Sequence, residues 1–139
     1  DEIKKVVAGE KLGGGDDAYV LQAGIAACHA RARQAEQTDW QAIANLYARL
    51  AEVMPSSVVE LNRVVAVSMA QGADAAWTLL QALIASPELQ GYAPLHAVLG
   101  DLLAQQGRLP EAKSAFEKAA SMTVNMRERA ALLKRSELL

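Results

Sequence analysis

With 139 residues, this chain is long enough for one domain with a hydrophobic core of its own. Its net charge of −2 excludes a general electrostatic attraction to nucleic acid or to anionic lipid. Apolar residues make up 52% of the chain and aromatic residues only 4%. Because alanine recurs and the β-branched residues form no alternating runs, this composition predicts an all-α fold.

The first two predicted helices are separated by a run of glycine. Residues 2–11 are expected to form a short helix that ends at three consecutive glycines, residues 13–15, which are typical of a linker or a helix stop. Asp16 or Asp17 then caps a helix over about residues 18–36. Either carboxylate can accept a hydrogen bond from a backbone N–H that has no partner in the first turn.

Capping boxes predict the starts of the next two helices, because a Ser or Thr followed three residues later by Glu or Gln satisfies two unpaired N–H groups reciprocally. Thr38 with Gln41 begins a helix that Pro55 stops, and Ser57 with Glu60 begins the next. Four further helices follow to the end of the chain, separated by Gly and Pro. From the second capping box onward the predicted spans are about 57–71, 73–85, 92–106, 110–122 and 124–138.

One pair of these helices carries small and large residues at fixed offsets, namely Leu99, Gly100, Leu103, Gly107, Ala112, Phe116 and Ala119. This is the residue spacing of a tetratricopeptide repeat, in which two antiparallel helices pack through such residues. A single pair of this kind cannot bury its apolar face alone. We therefore expect seven to eight helices, paired in a tetratricopeptide-like right-handed superhelix.

Three helix pairs follow from this interpretation. Residues 92–122 match the repeat best, and residues 57–85 match it loosely, with Trp77 where the repeat has a small residue. The earliest pair has second-helix spacing at Ile43, Tyr47 and Leu50. We expect residues 1–15 to be a short helix and linker that precede a helical domain over residues 16–139.

Residues that could support catalysis or metal binding are few and scattered. The two histidines, His29 and His96, lie on different predicted helices and have no Cys, Asp or Glu at metal-ligand spacing. The glycines at 13–15 lack the Lys-Ser/Thr of a phosphate-binding loop. Cys28 is the one cysteine, so a disulfide framework is excluded and a reducing, cytoplasmic compartment is favoured. We predict no enzymatic activity, no cofactor and no metal site.

The two ends of the chain indicate how it could be connected to other regions or to a partner. The chain begins within a predicted helix and without Met, so we expect a piece of a longer protein. From Arg108 to Leu139 there are seven Lys or Arg against four Asp or Glu. That basic end fits either an acidic partner or the solvated face of a terminal capping helix. No apolar run reaches the roughly 18 to 20 residues of a membrane span. A homodimer in which Leu138 and Leu139 take part remains an open alternative.

Several polar and aromatic residues have both a binding and a structural interpretation. Asn62 and Arg63 begin the first helix of the middle pair, where they could hold a carboxylate or a backbone carbonyl. Alternatively, Arg63 pairs with Glu60 three residues earlier. Trp40 and Tyr19 are candidates for aromatic anchors of a groove, or for packing between helices.

Segments spread along the chain form a recognisable series, in consistent order, over about residues 17 to 135. They are YVLQAGIAACHA (19–30), TDW (38–40), VVELNRVVAV (58–67), GY (91–92), HA (96–97), DLL (101–103), GR (107–108), EA (111–112), and Asn125 with Glu128 and Arg129. This series resembles the carboxyl-terminal helical extension of a group of bacterial extracytoplasmic-function RNA polymerase sigma factors, of the sigma-70 superfamily. Genes of this group often neighbour those of YCII-like proteins.

This resemblance implies a parent protein that binds core RNA polymerase and promoter DNA through upstream domains absent from this chain. The chain itself would be a cytoplasmic regulatory domain that contacts the upstream sigma domains or core polymerase, with promoter DNA reached only through the absent regions. Two alternatives remain open. One is a free-standing adaptor that binds a peptide in its concave groove through Asn62 and Arg63. The other is a small-molecule sensor with a pocket between helices near Tyr19, Trp40 and His29. The family-motif positions carried over as candidate interaction residues are Tyr19, Gln22, His29, Asp39, Trp40, Asn62, Arg63, Tyr92 and His96.

Overall fold

The computed structural model describes residues 1–11, 15–32 and 35–139. Those residues form an all-α fold of helices and connecting segments, with no β-strand among them. Residues 13 and 14 of the predicted glycine linker lie outside the described residues. The chain divides into two compact units, Asp1–Gly72 and Ala73–Leu139. Within its described residues, each unit has four α-helices and one 3-10 turn.

The bounds of the helices follow the predicted spans closely in most cases. In the first unit they are α1 (Glu2–Val7), α2 (Ala18–Arg31), α3 (Trp40–Val53) and α4 (Ser57–Gln71), with a 3-10 turn at Ala35–Gln37. In the second unit they are α5 (Ala73–Gln81), α6 (Ala93–Gln105), α7 (Leu109–Ser121) and α8 (Met126–Glu137), with a 3-10 turn at Pro87–Leu89. Three helices, α1, α2 and α5, end four or five residues before their predicted ends.

The early end of α1 has a local cause. Gly9 adopts a φ of +89°, which favours glycine over any residue with a Cβ. In that conformation its N–H donates to the carbonyl of Val6, and the N–H of Glu10 donates to the carbonyl of Lys5. These two bonds satisfy carbonyls that the last turn leaves free, so the helix ends before the glycine run at 13–15.

At both predicted capping boxes the helix is capped by the neighbouring residue, which has no Glu or Gln three positions later to complete a box. The side chain that caps α3 is Asp39, which accepts a hydrogen bond from the N–H of Ala42, and not Thr38. The side chain that caps α4 is Ser56, which accepts from the N–H groups of Val58 and Val59, and not Ser57. The helices still begin where expected, because each pair of adjacent residues offers two capping side chains.

In the first unit, α3 packs against both α2 and α4, and α1 packs on α2. Val6 of α1 is only 1% exposed, which shows that α1 contributes to this core. Gly24 of α2 permits the approach, because a Cβ there would lie 3.3 Å from Leu46 and 3.4 Å from Val6. Helix α1 is therefore part of the core of the first unit, Asp1–Gly72.

The guanidinium of Arg49 on α3 also binds α1 and the segment that connects α1 to α2. The guanidinium of Arg49 donates to both carboxylate oxygens of Asp16, at 2.5 and 3.2 Å. It also donates to the carbonyls of Val6 and Glu10, at 3.3 and 3.0 Å. The side chains of Arg49 and Asp16 are 15% and 8% exposed, so this hydrogen-bonded cluster is largely shielded from water.

In the second unit, α6 and α7 form the pair that the repeat spacing predicts. A Cβ on Gly100 of α6 would lie 2.8 Å from the ring of Phe116 on α7, so glycine is the residue that permits this contact. Phe116 lies in a buried cluster with Leu103, Ala112 and Ala115. The apolar residues at the repeat offsets thus form the core between these two helices.

The predicted middle pair, residues 57–85, is divided by the structure, since α4 belongs to the first unit and α5 to the second. Trp77 of α5 packs against the α6–α7 cluster, and the guanidinium of Arg108 lies 5.2 Å from its ring centroid. A tryptophan is therefore accommodated where the repeat has a small residue because it has partners within the second unit.

Candidate interaction surface

Three of the candidate residues lie along one exposed face of α2. Tyr19, Gln22 and His29 recur at helical spacing, and all three are exposed, with Tyr19 at 80%. The small residue Ala26 lies between them on the same face and is also exposed. This face is therefore accessible to a partner, and His29 on it also contacts the ring of Trp40 in the first unit.

Gln22 also belongs to a cleft of about 300 Å³ between α2, α3 and α4. Its buried floor consists of Ile25, Leu50 and Val59. Its exposed polar rim includes Gln22 of α2 and Asn62 of α4, two candidate residues that are forty positions apart in the sequence. The other lining residues are Tyr47 and Met54. We refer to these seven residues as the amide cleft.

The polar groups of the amide cleft are uncharged. Burial raises the pKa of Tyr47 above its ordinary value, so its phenol remains a neutral hydroxyl that can donate or accept. The side-chain amide of Gln22 lies 3.9 Å from the sulfur of Met54, a weak acceptor that leaves the amide available to a stronger partner. Two amides and a phenol over an apolar floor match a peptide backbone and an apolar side chain better than a charged ligand.

Arg63 is separate from this cleft. Its guanidinium lies 3.7 Å from the carboxylate of Glu60, the structural pairing that the sequence left open. Its Nε atom is buried and has no hydrogen-bond partner among the described residues. Asn62 lines the amide cleft and Arg63 does not appear in its lining, so the two neighbours do not form one binding pair.

The aromatic candidates are only partly brought together. The rings of His29 and Trp40 meet edge to face, with centroids 5.5 Å apart, while Asp39 is occupied as the cap of α3. Tyr19 lies roughly 15 Å away from His29 along the axis of α2, at about 1.5 Å per residue. Tyr19 therefore does not line a common pocket with His29 and Trp40, as the small-molecule alternative requires.

The two candidates in the second unit lie at and near the start of α6. Tyr92 is the residue before the first turn, and its side chain makes no capping hydrogen bond. His96 lines an open groove of about 590 Å³ with Glu111, Ser114 and Lys118 among its polar residues. Burial, and secondarily the charge of Lys118, lowers the pKa of His96, so its imidazole is neutral at pH 7.

The thiol of Cys28 is expected to be unreactive in the folded protein. The side chain is 5% exposed, and burial raises the pKa of the thiol, so the nucleophilic thiolate is scarce at neutral pH. We expect a thiol reagent to modify native Cys28 at least about tenfold more slowly than the same residue in denaturant. Stopped-flow labelling with and without urea measures the ratio, and equal rates would contradict this packing.

Among the residues that the structure describes, no cluster of three or more His, Cys, Asp or Glu side chains is positioned to hold a metal ion. Over the same residues, none of the helices combines the length and the apolar character needed to cross a bilayer.

The chain is similar to an uncharacterized protein of Rhizobium meliloti (strain 1021), with 46% identity over 112 residues. The aligned region is 81% of this chain and 26% of the relative, so the chain spans about a quarter of the length of that protein. No protein-family profile matches the chain.

Proposed function

We propose that this chain is a regulatory, protein-binding domain of a bacterial RNA polymerase sigma factor, and that it acts in the cytoplasm by contacting the upstream sigma domains or core polymerase. The assignment to a tetratricopeptide-like array of helix pairs is part of the same proposal, and the contact of Gly100 with Phe116 supports it. Promoter DNA would be bound by other regions of the full-length protein.

The observation that carries the proposal is the amide cleft. Gln22 and Asn62 come from two of the sequence segments that resemble the sigma-factor extension, and in the folded chain both line one cleft while remaining exposed. Exposed amides contribute little to the stability of their own helices, whereas they can pair with the N–H and C=O groups of a bound segment. The cleft therefore supports recognition of a protein partner rather than a reaction.

Substitution of the two rim amides tests which surface is used. We expect the double variant Gln22→Ala/Asn62→Ala of the sigma factor to bind its partner at least about tenfold more weakly, since loss of a side chain that dominates an interface costs about 1 kcal/mol or more. The matched control is Gln105→Ala, which removes an exposed amide from α6. Affinity for core polymerase and for the isolated upstream domains is measured by surface plasmon resonance. Unchanged affinity for both would contradict use of the cleft.

Deletion of the whole domain tests the broader proposal. The sigma factor and a version without residues 1–139 are compared for recovery of core polymerase and for transcription from the target promoter. We expect the deletion to change at least one of the two. Equal recovery together with equal transcription would remove the regulatory function.

The adaptor alternative uses the same cleft with a different partner. If the isolated chain binds a peptide through Gln22 and Asn62 while the sigma domains and polymerase show no affinity for it, the adaptor is the better assignment. The pairing of Arg63 with Glu60 argues against the version of this alternative in which Asn62 and Arg63 hold a carboxylate together.

A further inference from the structure

Helix α8 has one face packed against its own unit and one face that is open. On the packed face, Ser136 is buried and Arg129 donates to the carbonyl of Ala120 at 3.1 Å. Arg135 pairs with Asp101, and its guanidinium lies 4.5 Å from the ring centroid of Phe116. The orientation of α8 about its own axis is therefore fixed by contacts within the second unit.

The opposite face of α8, which we call the outer face, is apolar at both ends and charged between them. Met126 and Leu138 are 78% and 76% exposed, and small alanines lie between them on the same face. Its charged residues form no ion pairs among the described residues. The outer face consists of Met126, Arg127, Ala130, Ala131, Lys134, Glu137 and Leu138.

We propose that the outer face of α8 binds the outer face of a second copy of this chain, with the two helices antiparallel. In that alignment Met126 of each copy lies level with Leu138 of the other, and Arg127 lies level with Glu137. Ala130 then lies level with Lys134, whose aliphatic stem can cover the small alanine. Because a twofold axis relates the copies, every one of these contacts forms twice.

The charges select this orientation. A parallel alignment would place Arg127 beside Arg127, Lys134 beside Lys134 and Glu137 beside Glu137, and like charges at one level repel. The antiparallel alignment converts two of those three repulsions into Arg–Glu attractions. Alanine at 130 and 131 permits the close helix approach that such a contact needs.

One helix from each copy gives a small interface, below the roughly 1,200–2,000 Å² of stable complexes. We therefore expect a reversible dimer with a dissociation constant on the order of 10–100 μM. Sedimentation velocity over a concentration series that spans this range should show the weighted sedimentation coefficient rise towards that of a dimer. A chain that stays monomeric throughout the series would overturn the proposal.

Charge reversal distinguishes this interface from nonspecific association. Arg127→Glu and Glu137→Arg each place like charges at both Arg–Glu contacts, and each should weaken the dimer at least tenfold. Both variants favour α8 itself, because they add negative charge to its first turn or positive charge to its last turn. Far-UV circular dichroism verifies that the fold is retained. The matched control is Lys113→Glu on the exposed surface of α7, which should leave the association unchanged.

Recombining the charges gives the decisive measurement. The double variant Arg127→Glu/Glu137→Arg restores opposite charges at each contact, and an equimolar mixture of the two single variants does so in a heterodimer. Both samples should associate about as well as the original chain. Failure of both to recover, or single variants that associate normally, would show that the outer face of α8 is not the interface.

Discussion

Replacing Phe116 with alanine is expected to lower the free energy of unfolding of the second unit by about 3–5 kcal/mol, because the ring is almost fully buried. It is 2% exposed and lies at the centre of the cluster formed with Leu103, Ala112 and Ala115. The space it leaves is bounded by α6 and α7 and, at Gly100, by backbone without a side chain. The neighbouring helices can fill that space only partly, so a cavity remains.

The contact between Gly100 and Phe116 also predicts that the effect of Gly100→Ala on the free energy of unfolding changes sign when the Phe116 ring is removed. In the original chain, Gly100→Ala forces a Cβ to within 2.8 Å of the Phe116 ring and should cost about 1–3 kcal/mol, which outweighs the higher helix propensity of alanine. In the Phe116→Ala background the obstacle is gone. Gly100→Ala should then stabilise the unit by about 1 kcal/mol, the propensity difference between glycine and alanine.

Urea unfolding measured separately for each unit tests both statements. The two tryptophans, Trp40 and Trp77, lie in different units, so a Trp40→Phe background reports the second unit through Trp77 fluorescence. Leu109→Ala, at a position that is 43% exposed, is the control for loss of apolar volume and should cost far less than Phe116→Ala. A Gly100→Ala effect of the same sign in both backgrounds would contradict the contact with the ring.

The pairing of α6 with α7 was predictable because repeat spacing encodes partners as well as helices. Offsets that place Gly100 and Phe116 at fixed distances along the chain specify which small residue meets which large one. Simple helical periodicity carries less information, since it identifies an apolar face without its partner. The same limit explains the divided middle pair: Gly72 and the flanking helices were correctly predicted, but not the unit to which each helix belongs.

The contacts that the sequence did not predict are long-range and polar. Tyr47 was assigned to the second-helix spacing of the earliest pair, and nothing in its local sequence indicates that it lines a cleft with Gln22 and Asn62. Arg49 and Asp16 are 33 residues apart, and the sequence indicated Asp16 only as a candidate cap of α2, a position that Asp17 occupies. Such pairs follow from how α1 and α2 dock on α3, which depends on packing rather than on a motif.

Removal of Arg49 should therefore destabilise the first unit strongly, because its guanidinium is largely shielded from water and holds several hydrogen bonds. Arg49→Met keeps the volume of the stem but leaves the carboxylate of Asp16 and the carbonyls of Val6 and Glu10 without their donor. Charge-assisted hydrogen bonds contribute about 1.5–3 kcal/mol each and are not additive, so we expect a loss of about 3 kcal/mol. Trp40 fluorescence in a Trp77→Phe background reports this unit.

The dependence of the free energy of unfolding on pH identifies the ion pair between Arg49 and Asp16 as a source of this stability. The hydrogen bond from Arg49 lowers the pKa of Asp16 in the folded chain, so the unfolded state binds the proton more readily. The stabilisation is therefore fully present above the unfolded pKa of about 3.9 and is lost as pH falls through the lower folded pKa. The difference between the original chain and Asp16→Asn should stay constant above about pH 5 and shrink at lower pH.

A matched carboxylate separates this effect from general acid denaturation. Glu10→Gln removes a charge from the same unit but keeps the Glu10 carbonyl that accepts from Arg49, and it should change stability by no more than about 0.5 kcal/mol at any pH tested. If Asp16→Asn and Glu10→Gln gave the same pH profile, Asp16 would have no special role in stabilising the first unit. If only Asp16→Asn removes the acid-dependent loss, that loss comes from protonation of the carboxylate that pairs with Arg49.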